Sequence, residues 1–198
     1  MCVNRLGDAS GSNEILTDEE LVELVLTGQG EVFACLYERY YSRAYRLAYG
    51  MTGRHEIAED LTQEVFIRAY QKIDQFGGRA RFSTWFYRLA VNHCLNHSES
   101  QRKKDQMAAD EIDDLDTVSA PAQVEKDVLQ REVQTEIHQA LFTLKPRYRL
   151  IVILRDIEGM SYEEIAAQVN CSTGTLAAQL KRARKILARK LRHLKGTF

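Results

Sequence analysis

Proline is nearly missing from this 198-residue chain: Pro121 and Pro146 are the only two. With so few breakers and little Val/Ile/Thr alternation, a strand-rich sandwich or barrel is excluded and helices are predicted throughout. Long apolar runs are lacking as well. No stretch nears the ~18 residues that span a bilayer. The opening MCVNRLGDASGSNE has no apolar centre, so no secretory signal is expected in it. Cys2, Cys35, Cys94 and Cys171 form no CxxC pair, which argues against a disulfide framework and predicts reduced thiols in the cytoplasm. No glycine-rich phosphate loop, nucleophile elbow or HExxH occurs, so the common catalytic motifs are excluded. Finally, no acid follows Glu164, while Lys181, Arg182, Arg184, Lys185, Arg189, Lys190, Arg192 and Lys195 do. Taking these eight from 27 basic residues leaves nineteen against 28 acids, so the near-neutral total conceals an acidic body and a basic end. The two ends are built for different partners, and nucleic acid suits the basic one.

What is present is helical periodicity. In residues 58–76, Ala58, Leu61, Val65, Ala69, Ile73 and Phe76 recur at steps of three and four, one helix face turned to a core. At about 100° per residue, Asp60, Gln63, Glu64 and Ile67 gather on the opposite side. An apolar residue framed by carboxylates and an amide is the composition of a docking surface for a partner carrying Arg or Lys. A charged outer face with one stray Ile is the simpler alternative.

The remaining helices follow in order. Residues 1–15 read as a loose polar arm. Thr17 and Glu20 form a capping box opening a helix that turns Leu21, Leu24 and Val25 inward. A second helix is expected over 31–51 and the third over 58–76. The 77–81 loop is glycine-rich and basic. Ser83 is the expected cap of a fourth helix, in which Phe86, Leu89, Ala90, His93 and His97 share one flank and Trp85, Arg88, Asn92, Asn96 and Glu99 another. From Ser98 the pattern dissolves into an acidic run, Asp110 to Asp116, read as a tether. The expected fold is therefore all-α: two small helical domains, 16–104 and 124–198, joined by a flexible acidic linker, 105–123. Near the end, Ser161 and Glu164 form a second capping box. Asn170 sits at a turn that calls for a left-handed residue, and Ser172 or Thr173 caps a last helix running to Leu194. A short helix, a turn and a capped basic helix make a helix-turn-helix.

Three groups of residues carry candidate chemistry. The start of the last helix would enter a major groove, with its amides and the Ser172 and Thr173 hydroxyls near phosphate and Arg182, Arg184 and Lys185 extending the contact. Arg79, Arg81, Phe82, Trp85, Tyr87 and Arg88 interleave arginines with rings that can stack on unpaired bases, unless Phe82 and Trp85 are simply core. His93 and His97, with Cys94 adjacent, have a spacing able to hold a metal but lack further ligands, so packing is the better reading and no metal or cofactor is expected.

AEDLTQEVF, FSTWFYRLAVN, a linker, LFTLKPRYR and SYEEIAAQVNCSTGTLAAQLKRAR together resemble the extracytoplasmic-function (ECF) group of bacterial sigma factors, across both domains and in the right order. The resemblance implies a promoter-specificity subunit, not an enzyme. Asp60, Gln63, Glu64 and Ile67 would dock on core RNA polymerase (β′ clamp, with further contacts to β). Arg79, Arg81, Phe82, Trp85, Arg88, Asn92 and Asn96 would open and read the −10 element of promoter DNA. Ser172, Thr173, Thr175, Ala178, Gln179, Lys181, Arg182 and Arg184 would read the −35 element. An anti-sigma factor would cover these surfaces. The chain departs from the family at Ala177-Ala178-Gln179, where basic and polar residues are usual, at Asn96 and Glu99, and at Asn170 in place of the turn glycine. Weaker phosphate anchoring or an unusual −35 sequence preference is the expectation from the first departure, and Gln179→Arg should steepen the salt dependence of promoter binding. Two other readings remain: a helix-turn-helix regulator with a sensing first domain, which would need no dock at Asp60 and Glu64, and a metal-dependent helical enzyme around His93 and His97.

Overall fold

The computed structural model describes residues 16–109 and 128–194. The 1–15 arm, the acidic run Asp110 to Asp116 and Lys195 lie outside the described residues. Among the described residues all regular structure is helical, as the scarcity of proline implies. They cluster into two compact units, the first holding 16–49 and Arg54–His93, the second Gly50–Gly53 and the residues from Cys94 on.

In the first unit, α1 (Asp18–Leu26) opens on the expected capping box. The Glu20 N–H donates to Thr17 Oγ1 at 3.3 Å and the Thr17 N–H donates to Glu20 Oε2 at 2.7 Å. These bonds from Thr17 hold the Glu20 carboxyl below the usual carboxylate range. A 3₁₀ turn (Gly30–Val32) leads into α2 (Phe33–Thr52). α3 (His55–Gln71) starts three residues before the expected 58 and stops at Gln71, leaving Ile73–Gln75 as a separate 3₁₀ turn. Its inner face is broader than a single stripe: Thr62 and Phe66 are buried beside Ala58, Leu61, Val65 and Ala69. Thr62 hides its hydroxyl by donating to the Ala58 carbonyl at 2.6 Å.

α4 (Phe82–Ala109) corrects two expectations. It begins at Phe82, so Ser83 lies inside the first turn and is not the cap. It also continues well past Ser98, where the apolar pattern ends. Residues 99–106 are exposed on every side, so periodicity could not reveal this stretch. No glycine or proline interrupts it, and Gln101 donates to Asp105 one turn on at 2.9 Å.

The second unit carries α5 (Val128–Phe142), α6 (Pro146–Val152), a π-helical segment (Ile153–Ile157), α7 (Tyr162–Val169) and α8 (Thr173–Lys190). α8 ends before the expected Leu194, and Arg192–Leu194 form a 3₁₀ turn. Pro146 occupies the first turn of α6, where its missing N–H costs nothing. Arg149 is buried, yet its guanidinium lies 3.8 Å over the Phe142 ring and donates to the carbonyls of Leu141 and Phe142 at the end of α5. Burial pulls its pKa down to about 10, so it remains charged at neutral pH as a cap on that helix end.

Ser161 and Glu164 form the second capping box, with the Glu164 N–H donating to Ser161 Oγ at 3.2 Å. Ile165, Ala166 and Val169 of α7 and Leu176, Leu180 and Ala183 of α8 are buried, forming the core of a helix-turn-helix. Asn170 holds the turn at φ 51°, ψ 60°, and Arg147 donates to the Val169 carbonyl beside it at 2.8 Å. Asn170→Val should lower unfolding stability by ~1–2 kcal/mol because a β-branched residue resists this conformation. Asn170→Gly should equal or exceed the parent; chemical denaturation of the three proteins measures both.

Candidate docking and nucleic-acid surfaces

Sealing one side of α3 turns the other outward. Asp60, Gln63 and Glu64 are exposed, and Ile67 is 56% exposed. The face is therefore assembled as its spacing predicts. Glu64 is shared, since its Oε2 lies 2.7 Å from His93 Nε2 of α4. His93 is thus packed, with its side chain only 12% exposed, and also bonded to Glu64. Among the described residues no group of three His, Cys, Asp or Glu is placed to hold a metal.

The apolar part of this face is larger than Ile67 alone. Beside it lies a groove of about 430 Å³ lined by Phe33, Tyr37, Gln63, Phe66, Ile67, Tyr70 and Gln71. From Tyr37 a row of rings climbs α2 through Tyr41, Tyr45 and Tyr49, with successive centroids 5.3, 6.0 and 6.1 Å apart. Their four-residue spacing was the available signal, and sequence reasoning passed over it.

The second surface belongs to the 77–81 loop and α4. Arg79 and Arg81 are exposed in the loop, and Arg88, Asn92 and Asn96 are exposed at successive turns of α4. This side of the helix offers cationic and amide donors to a nucleic acid strand. Phe82 does not join them. It is 0% exposed, packed against Tyr40, Phe76 and Phe86 with centroids 5.6, 5.7 and 5.9 Å away. A sealed ring cannot stack on a base, so Phe82 is core and its place in the DNA set is withdrawn. Tyr87 is likewise buried, beneath the Arg43 guanidinium. Trp85 is half-buried against Phe76 and Phe82, which leaves part of its ring accessible.

The third surface is the front of α8. Ser172, not Thr173, is the cap: its Oγ accepts from the Thr175 N–H at 3.1 Å. Thr173, Thr175, Ala177, Ala178, Lys181 and Arg182 are exposed, and Leu176 and Leu180 point inward. Gln179 is half-buried with its Oε1 enclosed and unpaired, so Ala178 is the more outward of the two. Arg184 is exposed but committed. It forms a two-bond pair with Asp156 of the π-helical segment, Nε donating to Oδ2 at 3.2 Å and Nη2 to Oδ1. This bonding to Asp156 raises the guanidinium pKa.

Among the described residues, three separate outward surfaces stand on α3, on the 77–81 loop with α4, and on the front of α8. Residues 36–104 match the family model for sigma-70 region 2, and residues 134–187 match that for sigma-70 region 4. The class is a two-part promoter-recognition factor. The ECF RNA polymerase sigma-E factor of Haemophilus influenzae is 32% identical over 187 residues, covering 91% of this chain and 98% of that protein. The Escherichia coli K12 sigma-E factor is 31% identical over 188 residues, covering 92% and 98%. The sigma factor RpoE of Bartonella quintana, solved with the anti-sigma factor NepR, aligns with TM-score 0.62 at 26% identity over 81% of this chain and 96% of that one. CnrH, solved with the cytosolic domain of CnrY, shares the fold at TM-score 0.65 and 20% identity, over 89% and 97%. The chain belongs to the ECF sigma factors of RNA polymerase. It is a non-enzymatic subunit that binds core polymerase, recognises promoter DNA and directs the initiation of transcription. Among the described residues no helix is long and apolar enough to cross a membrane.

The Asp156 pair makes Arg184 a poor phosphate ligand. In salt titrations of promoter binding by holoenzyme, Arg184→Ala should leave the slope unchanged. Asp156→Asn, which loosens the guanidinium, should steepen it by up to about 0.9, one phosphate contact.

Proposed function

We propose that the three surfaces divide the work of initiation among them. Domains 16–104 and 124–198 act as the two working parts, preceded by the 1–15 arm and joined by 105–123, of which 105–109 continue α4. The α3 face, with Asp60, Gln63, Glu64 and Ile67, grips the β′ clamp of core polymerase. The 77–81 loop with Trp85, Arg88, Asn92 and Asn96 opens and holds the −10 element. The front of α8, with Ser172, Thr173, Thr175, Ala178, Gln179, Lys181 and Arg182, reads the −35 element, and Arg184 steadies it. The protein works in the cytoplasm, where its polymerase is.

One observation carries this reading: Asp60 and Glu64 of α3 stand outside a helix whose opposite side is closed. A solvated face needs no such wall of apolar rings beside its acids, and a polymerase dock uses both. An anti-sigma factor covering the α3 face fits the same chemistry, and the Bartonella sigma factor solved with NepR supports one. The double change Asp60→Lys, Glu64→Lys should weaken core binding about 100-fold while sparing the helical circular-dichroism signal, since reversed charges face the same partner. Unchanged affinity in a holoenzyme titration would remove the dock.

Ala177-Ala178-Gln179 sets the character of the −35 reader. It supplies small and neutral groups where charge would grip the backbone, so discrimination rests on shape and on few base contacts. Ala178→Arg should steepen the salt slope of promoter binding by about 0.9. Gln179→Arg should do less, its side chain being half-buried. Equal slopes in all three holoenzymes would place this turn away from DNA.

A further inference from the structure

The start of α4 has an imported cap. The Thr84 and Trp85 N–H groups both return to the Arg81 carbonyl, which puts Arg81 at the capping position, and arginine has no acceptor to offer. The Phe82 N–H would be an orphan of the first turn. Instead it donates to Glu19 Oε1 of α1 at 3.0 Å, across 63 residues of sequence. A carboxylate there also opposes the positive end of the α4 dipole.

Glu19 is itself held in place. Its neighbour Asp18 pairs with Arg39 of α2 at 2.7 Å and accepts from the Tyr40 hydroxyl, while Arg39 donates to the Leu16 carbonyl at 2.6 Å. The Tyr40 ring in turn packs on Phe82 and Phe86. The first turn of α1 is thereby bolted to α2 and to the start of α4. A polar cleft of about 630 Å³ separates that turn from the loop's end, with Glu19 and Arg81 both on its wall. Glu19 cannot serve as a phosphate ligand, being an anion. Its effect on DNA passes through the helix end that it holds.

We propose that Glu19 is a positioning residue for promoter melting. By anchoring the Phe82 N–H it fixes the end of the 77–81 loop and the heading of the Arg88 and Asn92 stripe. This rests on the reading of that stripe as the −10 surface. The α3 dock has its own buried wall and does not depend on the Glu19 bond, so polymerase binding and melting separate.

Holoenzymes carrying Glu19→Ala, Glu19→Gln and, as a control on the surface itself, Arg88→Ala with Asn92→Ala are compared on a duplex promoter and on one with a pre-opened −10 segment. Permanganate reactivity of the −10 thymines reads melting, and run-off transcription reads the pre-opened template. Glu19→Ala should lower melting on duplex about fivefold, the loss of one helix cap. Its core affinity and its transcription from the pre-opened template should stay within about twofold, as for distant independent sites. Glu19→Gln, whose amide oxygen still accepts, should keep most of the melting. Unaltered melting by Glu19→Ala, an equal loss on both templates, or a Gln variant as poor as the Ala variant each overturns the positioning role. If the Arg88 and Asn92 control also melts the duplex normally, the −10 reading of the surface falls with it. If only that control is impaired, the surface stands and Glu19 alone is refuted.

Discussion

Burial of Phe66 is the contact on which the first unit turns. Its ring meets Phe33 and Tyr37 of α2 and Phe86 of α4, with centroids 6.4, 4.5 and 4.9 Å away. Three helices are thus referred to one side chain on α3. Removing such a ring typically costs ~3–5 kcal/mol, a large share of a small domain's stability. Its position also sets the rotation of α3 about its own axis. With Phe66 inward, Gln63, Glu64 and Ile67 have nowhere to go but out. The proposed docking face is a by-product of the core that lies behind it.

The two surfaces proposed to face DNA obey the same economy. Each is the outer side of a helix whose inner side is closed by aliphatic or aromatic packing, so few groups reach the partner and those few are steady. Charge alone is a poor guide to which groups these are. Arg184 belongs to the acid-free end of the chain but closes on Asp156. Arg149 caps a helix end from within the second unit and never reaches solvent in any useful way. A basic residue in a DNA-binding domain is as readily a strut as a phosphate ligand.

Much of the fold was legible before any coordinates. The α3 stripe, both capping boxes, the left-handed Asn170 and the helix-turn-helix core lie where spacing puts them. The far half of α4 was not legible, because residues 99–106 are polar on all sides and leave no periodic trace. The candidate site was read with similar unevenness. The outward residues of α3 and of α8 were identifiable from their phase against buried neighbours. Phe82 was misplaced because an aromatic next to arginines has the same composition whether it stacks on a base or fills a core. Only its neighbours in space tell the two apart.

What this sequence determined unaided is therefore local: the two capping boxes and the turn at Asn170, which side of a helix is apolar, and, by resemblance, a family of sigma factors. The caps and the apolar sides follow from hydrogen bonds within a turn and from phase along one helix; the resemblance rests on whole segments matched in order. Tertiary structure alone decided what each helix meets. Phe82 with Glu19, His93 with Glu64 and Arg184 with Asp156 pair across 63, 29 and 28 residues. No local pattern encodes such partners, because the energy that brings them together comes from burying other residues, and the polar groups then bond to whatever the packed core has placed in reach.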